Sequence, residues 1–433
     1  MANGPHIQLV AQGAENTVLS GNPSTTFFKH TSRQYHNFSS GIVEQVIEGT
    51  INFGNRVEIN VARAGDLLNQ VFLMIRLPKL TNIDAKWVDN IGFFLFDNIE
   101  LNIGGNVIDR YSGEWLYLRS RLRDNQSLLN MTNSNEEEII VPLDLVFSEI
   151  HNSLPLISMA PNCEVKIFLD IAPIEKLIYN VEQSEIRNSV DVNGFGGSEH
   201  NDSFRAFAGY FYLDENERNI FMKNNVLDYL VETVEMNLNN SVYVDEHSNN
   251  SRLTNTSMTV GPNGNLLSLN LNFTGMSRYL LWTINGFARK ANKGCTQNSK
   301  TPWYVPGKSA TMRFNNQDRM PMMPWRYFTE LTKYYYGCSD NNLGNNSYSA
   351  LYNFGTESNS KDPSGSCNFG RLSHKSLEIE TGNLKEQAEK VWKVNKNDSF
   401  EEVEVSNDFN INVYSVRYNV LRVSNGQVAL AFD

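Results

Sequence analysis

The chain has 433 residues, of which 40% are hydrophobic and 20% charged, so it is long enough for two ordinary domains or one large one and is not globally disordered. Its formal net charge is −11, and residues 1–28 carry a single formal charge, on Glu15, so the basic footprint of a nucleic-acid-binding protein is missing. Apolar runs such as 91–96 fall far short of the roughly 18 residues that a membrane-spanning helix needs. The first residues do not resemble a signal peptide, which predicts cytosolic synthesis and reduced cysteines.

The first half of the chain is patterned as a series of strands. Gly54-Asn55 predicts the turn of a hairpin, and Gly104-Gly105 predicts a second one. Abundant aromatic residues favour strands joined by loops over a helical bundle. The strands predicted for this half are 51–53, 57–61, 67–77, 91–96, 99–103, 163–171 and 204–213.

One helix is predicted within this first half. Ser112 is a suitable N-cap, and Trp115, Leu118 and Leu122 follow at helical spacing on one face. The arginines on the rest of the helix are interpreted as a solvated face: Arg119, Arg121 and Arg123.

A short charged segment, 213–221, is helix-like and predicts a connector between two domains. Strand patterns then resume, and 267–273 alternates almost perfectly between apolar and polar residues. Long polar segments separate the strands, and two successive β-rich halves of this kind predict two antiparallel sandwiches. The strands predicted for the second half are 226–238, 267–273, 278–287, 311–314, 327–336 and 410–423.

Residues 362–372 resemble a catalytic loop in composition, with a serine and a cysteine beside glycines, but the segment lacks the other groups that catalysis needs. Pro363 fixes φ and Gly365 permits a reversal, so the segment predicts a turn followed by a short strand. Ser366 does not stand in the Gly-x-Ser-x-Gly frame of a nucleophile elbow. The seven residues are therefore interpreted as a structural motif: Pro363, Ser364, Gly365, Ser366, Cys367, Asn368 and Phe369.

Neither a catalytic, a cofactor-binding nor a metal site is predicted. The seven histidines are scattered along the chain, and the four cysteines form no CxxC pair. A phosphate-binding glycine loop is missing as well, since 194–197 matches none of the known patterns.

An ordered series of segments resembles the major capsid proteins of nucleocytoplasmic large DNA viruses. The series runs from residue 8 almost to the last residues, although 142–147 and 426–432 depart from the pattern common in that family. The matching segments are 8–14, 17–28, 52–55, 63–67, 97–105, 112–116, 213–221, 316–319, 363–372 and 418–423.

This resemblance implies an all-β chain of two tandem eight-stranded antiparallel jelly-roll β-sandwiches with long loops and a few short helices. The implied divisions are an N-terminal arm at 1–26, a first jelly roll at 27–213, a linker at 214–225 and a second jelly roll at 226–433. It further implies a homotrimer of pseudo-hexagonal outline that tiles an icosahedral capsid, without enzymatic activity or cofactor. The arm would lie beneath this block.

The partners implied by the resemblance are other copies of the chain, minor or cement capsid proteins and a penton protein, with no direct nucleic-acid contact. Assembly would take place in the host cytoplasm and the product would be the virion capsid. The resemblance leaves open an internal viral membrane close to the base of the shell.

The alternative interpretation is a carbohydrate-binding or carbohydrate-processing β-sandwich. Aromatic residues in 302–304 and 324–327 could stack on sugar rings. The competing explanation for these aromatics is burial at a domain or subunit interface, where such residues are enriched.

Overall fold

The computed structural model forms two compact units, Met1–Phe38 and Ser39–Asp433. In the first unit, α1 spans Gly4–Val10 and α2 spans Ala14–Ser20. Its apolar side chains, among them Ile7 and Phe28, are exposed. The structure describes residues 4–29, 34–82, 85–123, 126–132, 138–179, 186–190, 203–224, 226–244, 251–253, 258–260, 266–290, 303–336, 349–357, 362–382, 384 and 404–432.

The first sandwich of the larger unit contains eight described strands in the order β6-β5-β8-β2-β1-β10-β3-β7. Their apolar residues alternate: in β8 every second residue from Val165 to Ile171 is buried, so one face of the strand lies in the core. The strands are β1 Phe38–Glu48, β2 Arg56–Val61, β3 Leu67–Arg76, β5 Phe96–Ile103, β6 Asn106–Tyr111, β7 Glu138–Leu143, β8 Val165–Ile171 and β10 Phe204–Leu213, and a separate pair joins β4 Lys86–Trp87 to β9 Ile178–Tyr179.

Short helices accompany the first sandwich and lead out of it. The longest is α4, which begins after Ser112, whose hydroxyl accepts a hydrogen bond from the Trp115 amide at 3.3 Å. The helices are α3 Ile91–Phe94, α4 Gly113–Leu122, α5 Gln126–Met131 and α6 Glu215–Lys223, with 3₁₀ turns at Ile150–Asn152, Leu156–Ser158, Ile174–Lys176 and Ile186–Ser189.

The second sandwich consists of two sheets packed around an apolar core. One sheet has the order β12-β11-β23-β15-β16, with β20 and β21 also paired to β15 and β24 paired to β23; the other has the order β13-β14-β22-β17-β18, with β19 on β17. The strands are β11 Val226–Val244, β12 Ser251–Leu253, β13 Met258–Val260, β14 Leu266–Asn270, β15 Met276–Lys290, β16 Trp303–Tyr304, β17 Ser309–Phe314, β18 Gln317–Asp318, β19 Met323–Pro324, β20 Ala350–Asn353, β21 Cys367–Asn368, β22 Lys375–Glu380, β23 Glu404–Ser424 and β24 Gln427–Leu430.

Three predicted strands are wrong. Residues 51–53 contain no strand, and β2 pairs instead with β1, which the sequence patterns did not predict. Residues 91–94 form the single turn α3, which follows Asn90 in a left-handed conformation at φ 55°. Residues 327–336 are helical, with a π-turn at Tyr327–Leu331 followed by α7 at Thr332–Tyr335.

Candidate functional site at the junction of the two sandwiches

The predicted turn at 362–372 lies at the edge of the second sandwich. Gly365 has φ +140°, a conformation that an L side chain rarely adopts. The hydroxyl of Ser364 donates to the Glu357 carbonyl at 3.1 Å and accepts from the Glu357 amide at 3.3 Å, so it ties the turn to the preceding segment. Pro363 and Ser366 are exposed.

The residues after this turn form the predicted short strand. Cys367 and Asn368 pair with Ser277 and Met276 of β15. Phe369 then begins a 3₁₀ turn, Phe369–Arg371, and its ring is fully buried in edge contact with Phe273 at 6.0 Å between centroids. The motif thus brings one core side chain and one strand pairing to the sandwich.

Burial raises the pKa of the Cys367 thiol, which is half-buried and forms no disulfide. A raised pKa disfavours the thiolate and hence nucleophilic chemistry at this residue. The described part of the chain contains no cluster of three metal-ligating side chains. In the same residues every helix is too short or too polar to cross a bilayer.

A second constellation lies between the two sandwiches, in a region we call the junction: α4 and β6 of the first sandwich against β11, β15 and β23 of the second. The sheet of the second sandwich is buried on both faces here. On β15, Leu280 and Trp282 belong to the core of the second sandwich, whereas Tyr279 and Leu281 join the apolar cluster of the first. On β23, Val413 and Tyr414 divide in the same way, as period-2 alternation requires.

Glu114, in the first turn of α4, is the polar centre of the junction. Its Oε1 accepts hydrogen bonds from Asn285 Nδ2 at 3.0 Å and Thr283 Oγ1 at 3.3 Å. Its Oε2 accepts from Asn412 Nδ2 and from Tyr414 Oη, both at 2.8 Å. Four donors on two strands of the second sandwich therefore hold one carboxylate of the first, and hydrogen bonds to a charged acceptor are the stronger ones.

The position of α4 depends on Gly113, which packs against the backbone carbonyls of Phe93 and Phe96. A Cβ at residue 113 would overlap both oxygens, so only glycine permits this approach. The close contact fixes the start of α4, and with it the place from which Glu114 reaches the second sandwich.

Aromatic rings cover the apolar part of the junction. Trp115 packs on Tyr414 with 5.4 Å between centroids, and Tyr117 stacks on Tyr304 at 6.5 Å. Burial, reinforced by the negative charge of Glu114, raises the pKa of Tyr414 well above its ordinary value, so the phenol stays protonated and can donate to that carboxylate. Rigid rings of this kind favour one orientation of the two sandwiches.

Arg119 connects the sandwiches by charge. Its Nε lies 2.7 Å from Asp144 Oδ2 and its guanidinium 3.9 Å from Glu232 of β11, which also pairs with the buried Arg278. Its side chain is 12% exposed, so the prediction of a solvated arginine face is wrong for this residue. The sequence pattern missed this contact because helical spacing shows which residues share a face of the helix. It does not show which face is covered by a sheet from elsewhere in the chain.

The aromatic residues of the carbohydrate-binding alternative are mostly buried. Tyr304 is 4% exposed at the junction, and Trp325 is 4% exposed in the core of the second sandwich. Tyr327 is half-buried. The side chain of Trp303 lies outside the described residues. For Tyr304 and Trp325, burial at an interface or in the core leaves no ring face for a sugar.

Two solved structures show the fold to which this arrangement belongs. A chain of the PBCV-1 virus capsid matches with a TM-score of 0.69 and 23% identity, covering 94% of this chain and 100% of that chain. The Faustovirus major capsid protein matches with a TM-score of 0.63 and 8% identity, covering 95% of this chain and 94% of that one. The chain is thus a double jelly-roll protein, and the predicted fold class is confirmed; eight strands per roll stays a prediction.

Two family models match the sequence in succession. The model for the N-terminus of the major capsid protein matches residues 26–214. The model for the major capsid protein of large eukaryotic DNA viruses matches residues 217–429. The chain is 26% identical over 465 residues to the major capsid protein of Paramecium bursaria Chlorella virus 1, covering 98% of each. It is 25% identical over 476 residues to that of Pyramimonas orientalis virus, covering 99% of this chain and 98% of the relative. The chain belongs to the family of major capsid proteins of large eukaryotic DNA viruses.

Proposed function

We propose that three copies of this chain associate into a capsomer of pseudo-hexagonal outline that tiles an icosahedral shell. As a member of its family the chain is a structural protein of the virion capsid. The junction is the observation that supports the proposal of a trimer, because it holds the two sandwiches of each chain in one fixed orientation. Three chains with two fixed sandwiches each supply six lobes, which is the number that a hexagonal tile needs.

We assign the divisions of the chain from the same arrangement. The arm comprises 1–26, the first jelly roll 27–213, the linker 214–225 and the second jelly roll 226–433. In support, β10 ends at Leu213, α6 occupies Glu215–Lys223, and β11 begins at Val226. Each sandwich on either side of α6 has a sheet network of its own.

The proposed role of 363–369 is structural. Ser364 anchors the turn, Cys367 and Asn368 extend the sheet beside β15, and Phe369 fills the core. We expect no enzymatic activity and no cofactor at this motif. The proposed partners are further copies of the chain, minor or cement capsid proteins and a penton protein, with assembly in the host cytoplasm and no direct nucleic-acid contact.

Light scattering on the purified protein tests the trimer. One chain is 49.2 kDa, so three chains give 147.6 kDa. Negative-stain images of the same sample should show particles of hexagonal outline. A stable monomer of 49.2 kDa that binds glycans would overturn the proposal in favour of the carbohydrate-binding alternative.

A further inference from the structure

Asp109 is a carboxylic acid enclosed in the junction. It lies on β6, is 6% exposed, and faces β11 of the second sandwich. Its Oδ1 accepts hydrogen bonds from the Val234 amide of β11 at 3.1 Å and from the Arg110 amide at 3.0 Å. One of its hydrogen bonds therefore crosses from the first sandwich to the second.

Among the described residues, the charged groups around Asp109 do not balance its charge. From α4 the facing cation is Arg119, but this guanidinium already contacts Asp144 at 2.7 Å and Glu232 of β11 at 3.9 Å. Asp144, from the segment after β7, adds a like charge, and Tyr111 of β6 presents a buried phenol. Arg110 directs its Nε away, to Asn98 at 2.9 Å. An ionised Asp109 thus adds a negative charge to a buried site whose cation is shared.

We propose that Asp109 is a pH-dependent latch: protonated, it lets the two sandwiches dock tightly, and its ionisation loosens the junction. The latch acts within a single chain, so it stands whether or not three chains associate. The junction is then tighter in mildly acidic solution than at neutral and alkaline pH.

The direction of the effect follows from proton linkage. Burial raises the pKa of Asp109 to about 7, while its amide donors and Arg119 lower it only in part. In an unfolded chain the side chain of an aspartate has a pKa of about 3.9. The folded protein holds the proton that the unfolded chain releases, so the stabilisation is complete below pH ~4 and is lost as the pH rises towards ~7.

The variant Asp109→Asn tests the latch, because the amide side chain stays neutral at every pH and keeps an oxygen to accept from Val234. We expect the melting temperature of the wild-type chain to fall between pH 5 and pH 8 by roughly 2–4 °C more than that of the variant. The two should agree closely only near pH 4, and the advantage of the variant should grow from pH 5 to pH 8.

Asp228→Asn is the matched control. Asp228 lies on β11 but is paired with Arg422 at the surface, and this pairing lowers its pKa, so its variant should keep the wild-type slope over pH 5–8. Hydrogen exchange in the wild-type protein supplies a readout that needs no variant. Once corrected for the intrinsic pH dependence, exchange at the Val234 amide should rise from pH 5 to pH 8 more than at the Leu280 amide of the second core. Equal slopes in wild-type and Asp109→Asn proteins, or flat corrected exchange at Val234, would overturn the proposal.

Discussion

The two faces of the sheet formed by β11, β23 and β15 are buried in different ways. The face towards the second core is apolar, with Leu280, Trp282 and Val413 among its side chains. The face towards the first sandwich combines rings such as Tyr414 with hydrogen bonds to Glu114. Apolar packing tolerates many arrangements of similar volume, whereas hydrogen bonds demand particular distances. The face towards the second core, which we call the inner face, therefore supplies stability. The face towards the first sandwich, which we call the outer face, specifies how the two sandwiches are oriented.

The largest effect is expected on the inner face, for Trp282→Ala. Trp282 is fully buried and makes edge contacts with Phe328 at 5.0 Å and Trp325 at 6.3 Å between centroids. Its removal leaves a cavity and should lower the free energy of unfolding by about 3–5 kcal/mol, measured by chemical denaturation.

Trp282→Phe is the matched variant for this site. It keeps an aromatic ring and removes a buried indole N–H that has no hydrogen-bond partner among the residues that the structure describes. The loss should be well below that of the alanine variant. An equal loss would show that packing volume is not what the inner face depends on.

An intermediate effect is expected on the outer face, for Glu114→Ala. The substitution removes the carboxylate that accepts hydrogen bonds from Thr283, Asn412 and Tyr414. We expect a loss of about 2–4 kcal/mol, because buried donors that lose a charged acceptor keep their desolvation cost. Chemical denaturation measures this loss. The same variant should also show faster proteolysis at the proposed linker, 214–225, under native conditions.

Glu114→Gln should lose less than Glu114→Ala, since an amide oxygen can still accept. Glu164→Gln, at a side chain that is 68% exposed, is the control and should change stability by no more than about 0.5 kcal/mol. If Glu114→Ala behaves like this control, the polar network does not hold the sandwiches together.

The smallest effect is expected at the turn. Ser364→Ala removes the two hydrogen bonds with Glu357 and should cost about 0.5–1.5 kcal/mol. Ser366→Ala, at an exposed residue of the same turn, is the control and should be near neutral. Stability of the proposed capsomer is the property to measure for both variants and for Cys367→Ala. Loss of a catalytic activity in any of the three would contradict the proposed structural role.

The sequence patterns predicted strands where burial follows a simple alternation. Residues 204–213 and the helix from Ser112 were located closely because period-2 burial and an N-cap are local signals. The sequence pattern predicts a strand at 327–336, whereas the buried residues at 325, 328, 329 and 332 follow helical spacing. The aromatic residues of this segment favour a strand, and the helical spacing was therefore not recognised.

The junction could not be predicted, because its signal is divided between distant segments. Residues 279–284 are almost continuously apolar, which is typical of a strand buried on both faces and is the one local sign of the junction. On β23, by contrast, Asn412 stands at a position that suggests a solvent-facing side chain, yet it is 8% exposed because it binds Glu114. A polar residue in a strand does not reveal whether its partner is water or a carboxylate almost 300 residues away.

The contact between β6 and the C-terminal strand has a consequence for synthesis. Asn106 Nδ2 donates to the Val428 carbonyl at 3.4 Å, across a separation of 322 residues. At a translation rate of roughly 5–20 residues per second, that carbonyl leaves the ribosome on the order of 15 to 65 s after Asn106. During this interval β6 lacks its contact with the C-terminal strand. A nascent chain of this kind passes through a long stage at which the C-terminal strands have not yet completed its junction surface, which stays open to wrong pairings.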